Sequence, residues 1–213
     1  LPHQHSLTIH RDFLRRLLRP SELSVPPADL PRTVMILERP SRRALRGRTK
    51  RRVLMESWQR LFHLAVHAEL ESPERRHQFT KSAVRSRIDD IGQVAFDEVR
   101  DVLRAEHLVV SGCHAFKEYV EFAALFLELA AFDQSRIPSF FPSLEDPAAV
   151  QDILRRDVDA EALLAATCPH PELSLAASEA VRAGAGSEEA VPARRAIRPL
   201  RRAQRFRASR AAS

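Results

Sequence analysis

The sequence predicts an all-α protein, an irregular multi-helix bundle around a central apolar helix at about 114–133, with room for one or two very short β segments. Three observations carry this expectation. Apolar residues recur at helical spacing over 54–70 and 84–103; the stretch 114–133 is apolar around nearly its whole circumference; and the 213 residues include only five glycines. Amphipathic stripes of period 3.6 suit helices on a core, and a helix apolar all round belongs at its centre. Scarce glycine leaves few positions for tight hairpins or phosphate-cradling loops.

Taken in order, Leu7 to Arg19 reads as a helix. Leu7, Phe13, Leu14, Leu17 and Leu18 form one face, and Arg11, Arg15, Arg16 and Arg19 the other. Such an Arg-rich amphipathic segment suits a transit peptide, a membrane surface or, most simply, a helix docked on the body. Pro20 ends it, and four prolines between 20 and 33 make the next stretch a loop. Thr33 to Leu37 (TVMIL) is β-branched and apolar, a short strand or an extended linker.

A helical pattern runs from Ser41 to about Glu71, with Gly47 as a break or kink and Leu54, Trp58, Leu61 and Ala65 as its buried stripe. Ser72-Pro73-Glu74 starts a new helix. Val84, Ile88, Ile91, Ala95, Val99 and Val102 then read as one long helix. Ser111-Gly112 is a turn, 114–133 is the core helix, and Asp146 and Asp159 cap two shorter helices. Pro171 begins another near the end. These elements form a helical domain over 1–183. The remaining 184–213, rich in Arg, Ala and Pro, reads as a flexible basic tail that buries too little to order itself.

The net charge of +6 conceals a strong asymmetry. Arg39–Arg52 and Arg194–Arg210 each hold eight Lys or Arg and no acid, leaving 18 bases against 28 acids elsewhere. An acidic body therefore carries two basic arms, and fixed cations of this density attract an anionic partner. The candidate anion-binding residues are Arg42, Arg43, Arg46, Arg48, Lys50, Arg51 and Arg52, with Arg198, Arg201 and Arg202 in the tail. Arginine accumulated at unconstrained positions is the plain alternative. No aromatic residue lies within the first run, so base stacking is not indicated.

Phosphate-binding and dinucleotide fingerprints are absent, which argues against nucleotide enzymes of those classes. Cys113 and Cys168 form no C-x-x-C pair, and no apolar run reaches the roughly 18 residues that span a bilayer. A cytoplasmic location is the default expectation. The chain opens on Leu1 rather than Met, which leaves room for a preceding segment.

Three groups could carry chemistry. His63 and His67, four residues apart with Glu71 one turn on, could share a metal ion. They lie opposite the Trp58 stripe, however, where a solvated face is the simpler account. Glu74-x-x-His77 has the spacing of a di-iron pair but lacks the second pair such sites need. Cys113, at the start of the core helix, would be a nucleophile if the helix dipole acidified it, against the simpler account of a buried structural thiol. The core helix keeps one polar stripe, His114, Lys117, Glu121 and Glu128. Its glutamates are about 10.5 Å apart along the axis, too far for one metal, and the stripe is expected to face a polar neighbour or to pair Lys117 with Glu121.

The resulting expectation is a binding or scaffold protein, without a cofactor, whose basic arms contact an acidic protein or nucleic-acid phosphate. The competing expectation is a metal or thiol enzyme using His63, His67 and Glu71, or Cys113. An exposed apolar stripe on the first helix would favour self-association.

Overall fold

The computed structural model describes residues 6–72, 75, 77–170 and 173. The basic tail, including Arg198, Arg201 and Arg202, lies outside these residues, as do Pro73, Glu74 and Pro171, where two further helix starts were expected.

The described residues open with a strand rather than a helix. β1 (Ser6–His10) pairs antiparallel with β2 (Thr33–Leu37) in the register Ser6↔Leu37 to His10↔Thr33. The helix expected from Leu7 is confined to α1 (Arg11–Leu17). Leu7 to Ile9 serve the TVMIL segment as a pairing partner, a long-range demand that local helical periodicity does not report. The Arg11 guanidinium closes the proline-rich connection by donating to the Leu30 carbonyl at 3.0 Å.

The basic run folds as a short turn of helix, α2 (Arg42–Leu45), and then as the start of α3 (Lys50–Leu70). Gly47 divides them at φ +73°, a left-handed conformation that glycine adopts without strain. Thr49 caps α3 by accepting from the Arg52 amide at 3.2 Å. α4 (Lys81–Ile91) is capped in the same way by Thr80, and α5 (Gln93–Ala105) follows directly. The single long helix expected over 84–103 is thus two. Gly92, at φ +102°, breaks it, and the buried stripe restarts as Phe96, Val99 and Leu103.

α6 (Ala115–Phe132) is the centre of the bundle, as the sequence predicts. Tyr119, Val120 and every residue from Phe122 to Phe126 are fully buried. α3, α4 and α5 all pack on it. Phe122 meets the rings of Phe96 and Phe141 nearly edge-on, at centroid separations of 5.6 and 5.5 Å. α7 (Ile137–Phe140), α8 (Pro147–Arg155) and α9 (Ala160–Thr167) complete the described residues. Asp146 and Asp159 cap the last two by accepting backbone N–H groups at 3.0 Å. Trp58 ties α9 to α3, its indole N–H donating to the Leu164 carbonyl at 3.1 Å.

Polar clasps join the helices inside this apolar frame. Asp157 accepts both arms of the Arg87 guanidinium at 2.9 Å and the Tyr119 hydroxyl at 2.6 Å. Buried Glu118 accepts from Arg100 at 2.7 Å and Arg104 at 3.0 Å. No helix among the described residues is long and apolar enough to cross a membrane.

Candidate metal centre

α3 and α6 run antiparallel with their polar stripes face to face. Three rungs show the direction: Glu71 pairs with Lys117, His67 with Glu121, and His63 with Glu128. His63 and His67 therefore do not lie on a solvated face. His63 is only 3% exposed, because α3 is covered on its Trp58 side by α9 and on its histidine side by α6. A single wheel cannot show that a helix is covered twice.

The spacing of the histidines sets their geometry. Four residues place them on one face, one turn apart, with ring centroids 4.9 Å apart. Glu121, from the middle of the facing stripe, reaches between them. Its Oε2 lies 3.4 Å from His67 Nε2 and 3.8 Å from His63 Nε2. One ligand atom from each of the three residues falls within 4.8 Å of the others. Two nitrogens and an oxygen bound tetrahedrally at ~2.0–2.1 Å would be ~3.3 Å apart, so the ligand atoms would have to draw together around an ion.

Glu128 supplies the second feature of such a centre. Its Oε2 lies 3.1 Å from His63 Nδ1, the ring nitrogen turned away from Glu121. A carboxylate on Nδ1 fixes the tautomer that leaves Nε2 as the electron-pair donor and raises its basicity.

The electrostatics follow from burial and from these contacts. Burial disfavours a charged His63 imidazole, but hydrogen bonding to Glu121 and Glu128 and their charges outweigh it, so His63 titrates above its ordinary value. Burial likewise pushes the Glu121 carboxyl up, yet hydrogen bonds and charge from His63 and His67 overcome this and bring it down to about 2. Both shifts favour the charged forms, a His63 imidazolium beside ionised carboxylates.

Glu71, the third ligand expected from the sequence, is not the carboxylate brought to the histidine pair. It lies one turn beyond, paired with Lys117, and Glu121 takes the place. The pairing of Lys117 with Glu121 is replaced accordingly. Cys113 does not become an activated thiol: burial, followed by the neighbouring Glu118 charge, pushes its pKa up. Glu74 of the Glu-x-x-His motif lies outside the described residues. Of the basic run, Arg42, Arg43, Arg46, Lys50 and Arg51 are exposed. Arg48 and Arg52 instead turn to Glu56, at 2.6 and 3.4 Å.

Glu121 and Glu128 are the residues that the sequence reading did not join to the histidines. The signal was present as one narrow polar stripe on the core helix and a polar histidine face on the amphipathic helix α3. A buried helix with one polar stripe must satisfy it against another polar surface, and the histidine face of α3 is the matching stripe. No protein-family description, curated protein or solved structure matches the chain. Fold and site therefore define it only as an all-α bundle with a partly buried two-histidine, two-carboxylate cluster between antiparallel helices.

Proposed function

We propose that this protein binds one divalent transition-metal ion through His63 Nε2, His67 Nε2 and a Glu121 oxygen, with Glu128 orienting His63. The convergence of those three ligand atoms within 4.8 Å carries the reading. Two imidazoles and one carboxylate suit zinc or iron(II) over calcium or magnesium, which prefer all-oxygen shells. Three protein ligands leave coordination positions for water or a substrate. The partial exposure of His67 and Glu121, at 14% and 20% of their side chains, puts the open side there. A centre of this kind would activate a bound water or hold a small anionic ligand.

Metal titration of the full chain, freed of metal by a chelator, tests the proposal. About one equivalent of zinc or iron(II) should bind, with Glu121→Gln and His67→Ala each weakening binding beyond about 100-fold and Glu128→Gln by about 10- to 100-fold. Affinity for both metals weaker than about 1 mM in the folded wild-type chain would exclude the centre.

A second reading concerns the other end of the molecule. We infer that the basic segment serves as a contact for an anionic partner, such as an acidic protein or nucleic-acid phosphate. Residues 6–52 hold thirteen Lys or Arg against four Asp or Glu, and most of those cations face solvent. Binding to single-stranded RNA and to acidic polypeptide, measured across salt, checks it. Affinity should fall steeply as salt rises, and no binding at low salt would remove the reading.

A further inference from the structure

The N-terminal segment combines two surface properties. Among the described residues, six of the eight large hydrophobic side chains left exposed lie between Leu7 and Leu45: Leu7, Phe13, Leu17, Leu18, Val25 and Leu45. The same stretch carries eight Lys or Arg against four Asp or Glu, and five more cations follow by Arg52. α1 concentrates both. It buries Leu14 alone, while Phe13 and Leu17 stand 53% and 61% exposed. On the helical wheel these two lie between Leu14 and Arg16, with Arg15 on the polar side. The apolar face that sequence periodicity assigns to this helix is thus mostly outside the core.

We propose that this segment docks on an anionic lipid surface, with Phe13, Leu17 and Leu18 entering the headgroup region and the surrounding arginines engaging lipid phosphates. The inference rests on the reading of residues 6–52 as an anion-seeking surface and names its partner. Lipid satisfies both properties together, since an interfacial helix gains from apolar burial and from cationic attraction at the same time. Nucleic acid would answer the arginines but leave Phe13 and Leu17 in water. A second copy of the chain would cover the apolar residues but bring Arg15, Arg16 and Arg19 of two molecules together, and like charges at close range oppose that contact. A folded acidic protein would have to match exposed apolar positions distributed over β1, α1, the proline-rich connection and α2. A fluid bilayer needs no such fixed complementarity.

Co-sedimentation of the full chain with vesicles tests the proposal. The probes are phosphatidylcholine alone and phosphatidylcholine mixed with phosphatidylserine, at about 0.1 M and about 0.5 M salt. Binding to the mixed vesicles should exceed binding to the neutral ones by at least about tenfold at the lower salt, and weaken at the higher. Phe13→Ser/Leu17→Ser should lower vesicle binding by about tenfold or more, leaving the thermal midpoint and binding to single-stranded RNA unchanged. Arg15→Glu/Arg16→Glu should lower both kinds of binding.

Vesicle binding indifferent to the Phe13/Leu17 pair would overturn the lipid assignment. So would binding to RNA without binding to vesicles, although the anionic reading would then stand. Loss of both at low salt would overturn the two together. Dimerisation through Phe13 and Leu17 without vesicle binding would replace the lipid with a second copy.

Discussion

Asp157→Ala is expected to lower the unfolding free energy by about 3 kcal/mol, near the low end of the range for breaking a buried charged pair. Asp157 is nearly buried and is the shared acceptor for two groups that reach it from different helices. Tyr119 in α6 is fully buried, and burial together with the Asp157 carboxylate holds its phenol well above the ordinary value, so it remains a donor. Removing the carboxylate strands that hydroxyl, at about 1–3 kcal/mol. Arg87 keeps 23% of its side chain exposed and recovers part of its hydration, which places the expectation at the low end. For a domain of this size the thermal midpoint should fall by about 6–12 °C. Thermal denaturation of Asp157→Ala, Tyr119→Phe and the double variant decides it. The double variant should be less destabilised than the sum of the single changes, because the stranded hydroxyl is gone. Additive losses would show that Tyr119 and Asp157 are not coupled.

His63→Leu should abolish metal binding and, in the chelator-treated protein, cost about 3 kcal/mol, because it leaves the largely buried Glu121 and Glu128 without the cation between them. Replacing His63, Glu121 and Glu128 together by leucine should restore stability to the wild-type level or above it, since an apolar substitute avoids desolvating the charges. That outcome would show that the cluster does not serve to stabilise the fold. A triple variant less stable than His63→Leu would make the cluster a structural clasp. The pH dependence of the metal-free protein has a sign that follows from the two shifts. Glu121 is depressed from 4.5 to about 2, so its contribution is present above pH 4.5 and lost as pH falls toward 2. His63 is raised above 6.5, so its contribution is full below pH 6.5 and lost as pH rises through the folded-state value. The cluster should therefore stabilise the metal-free fold most between about pH 4.5 and 6.5, and His63→Leu should flatten that dependence.

Much of the architecture was legible in residues 114–133. A stretch apolar around its whole circumference has no stable place except the middle of a bundle, and α6 is there with Phe122 at its centre. The caps at Asp146 and Asp159 and the break at Gly47 were equally local and equally legible, because each depends on a side chain within three residues or on one backbone conformation. The candidate site was half legible. The spacing of His63 and His67 marks a possible ligand pair, and the stripe through Glu121 and Glu128 marks a polar face needing a partner.

The sequence by itself determined the helical class, the identity of the central helix, the segregation of charge and the presence of a polar stripe on that helix and a histidine-bearing polar face on an earlier one. All are properties of composition or of one helix turn. Only the tertiary structure decided that the stripes face each other, that Glu121 rather than Glu71 completes the histidine pair, and that Leu7 to Ile9 pair with a strand on the far side of the proline-rich connection. It also left Phe13 and Leu17 in solvent instead of on the core. These outcomes depend on which helix covers which face, and a wheel drawn for one helix carries no record of its neighbour.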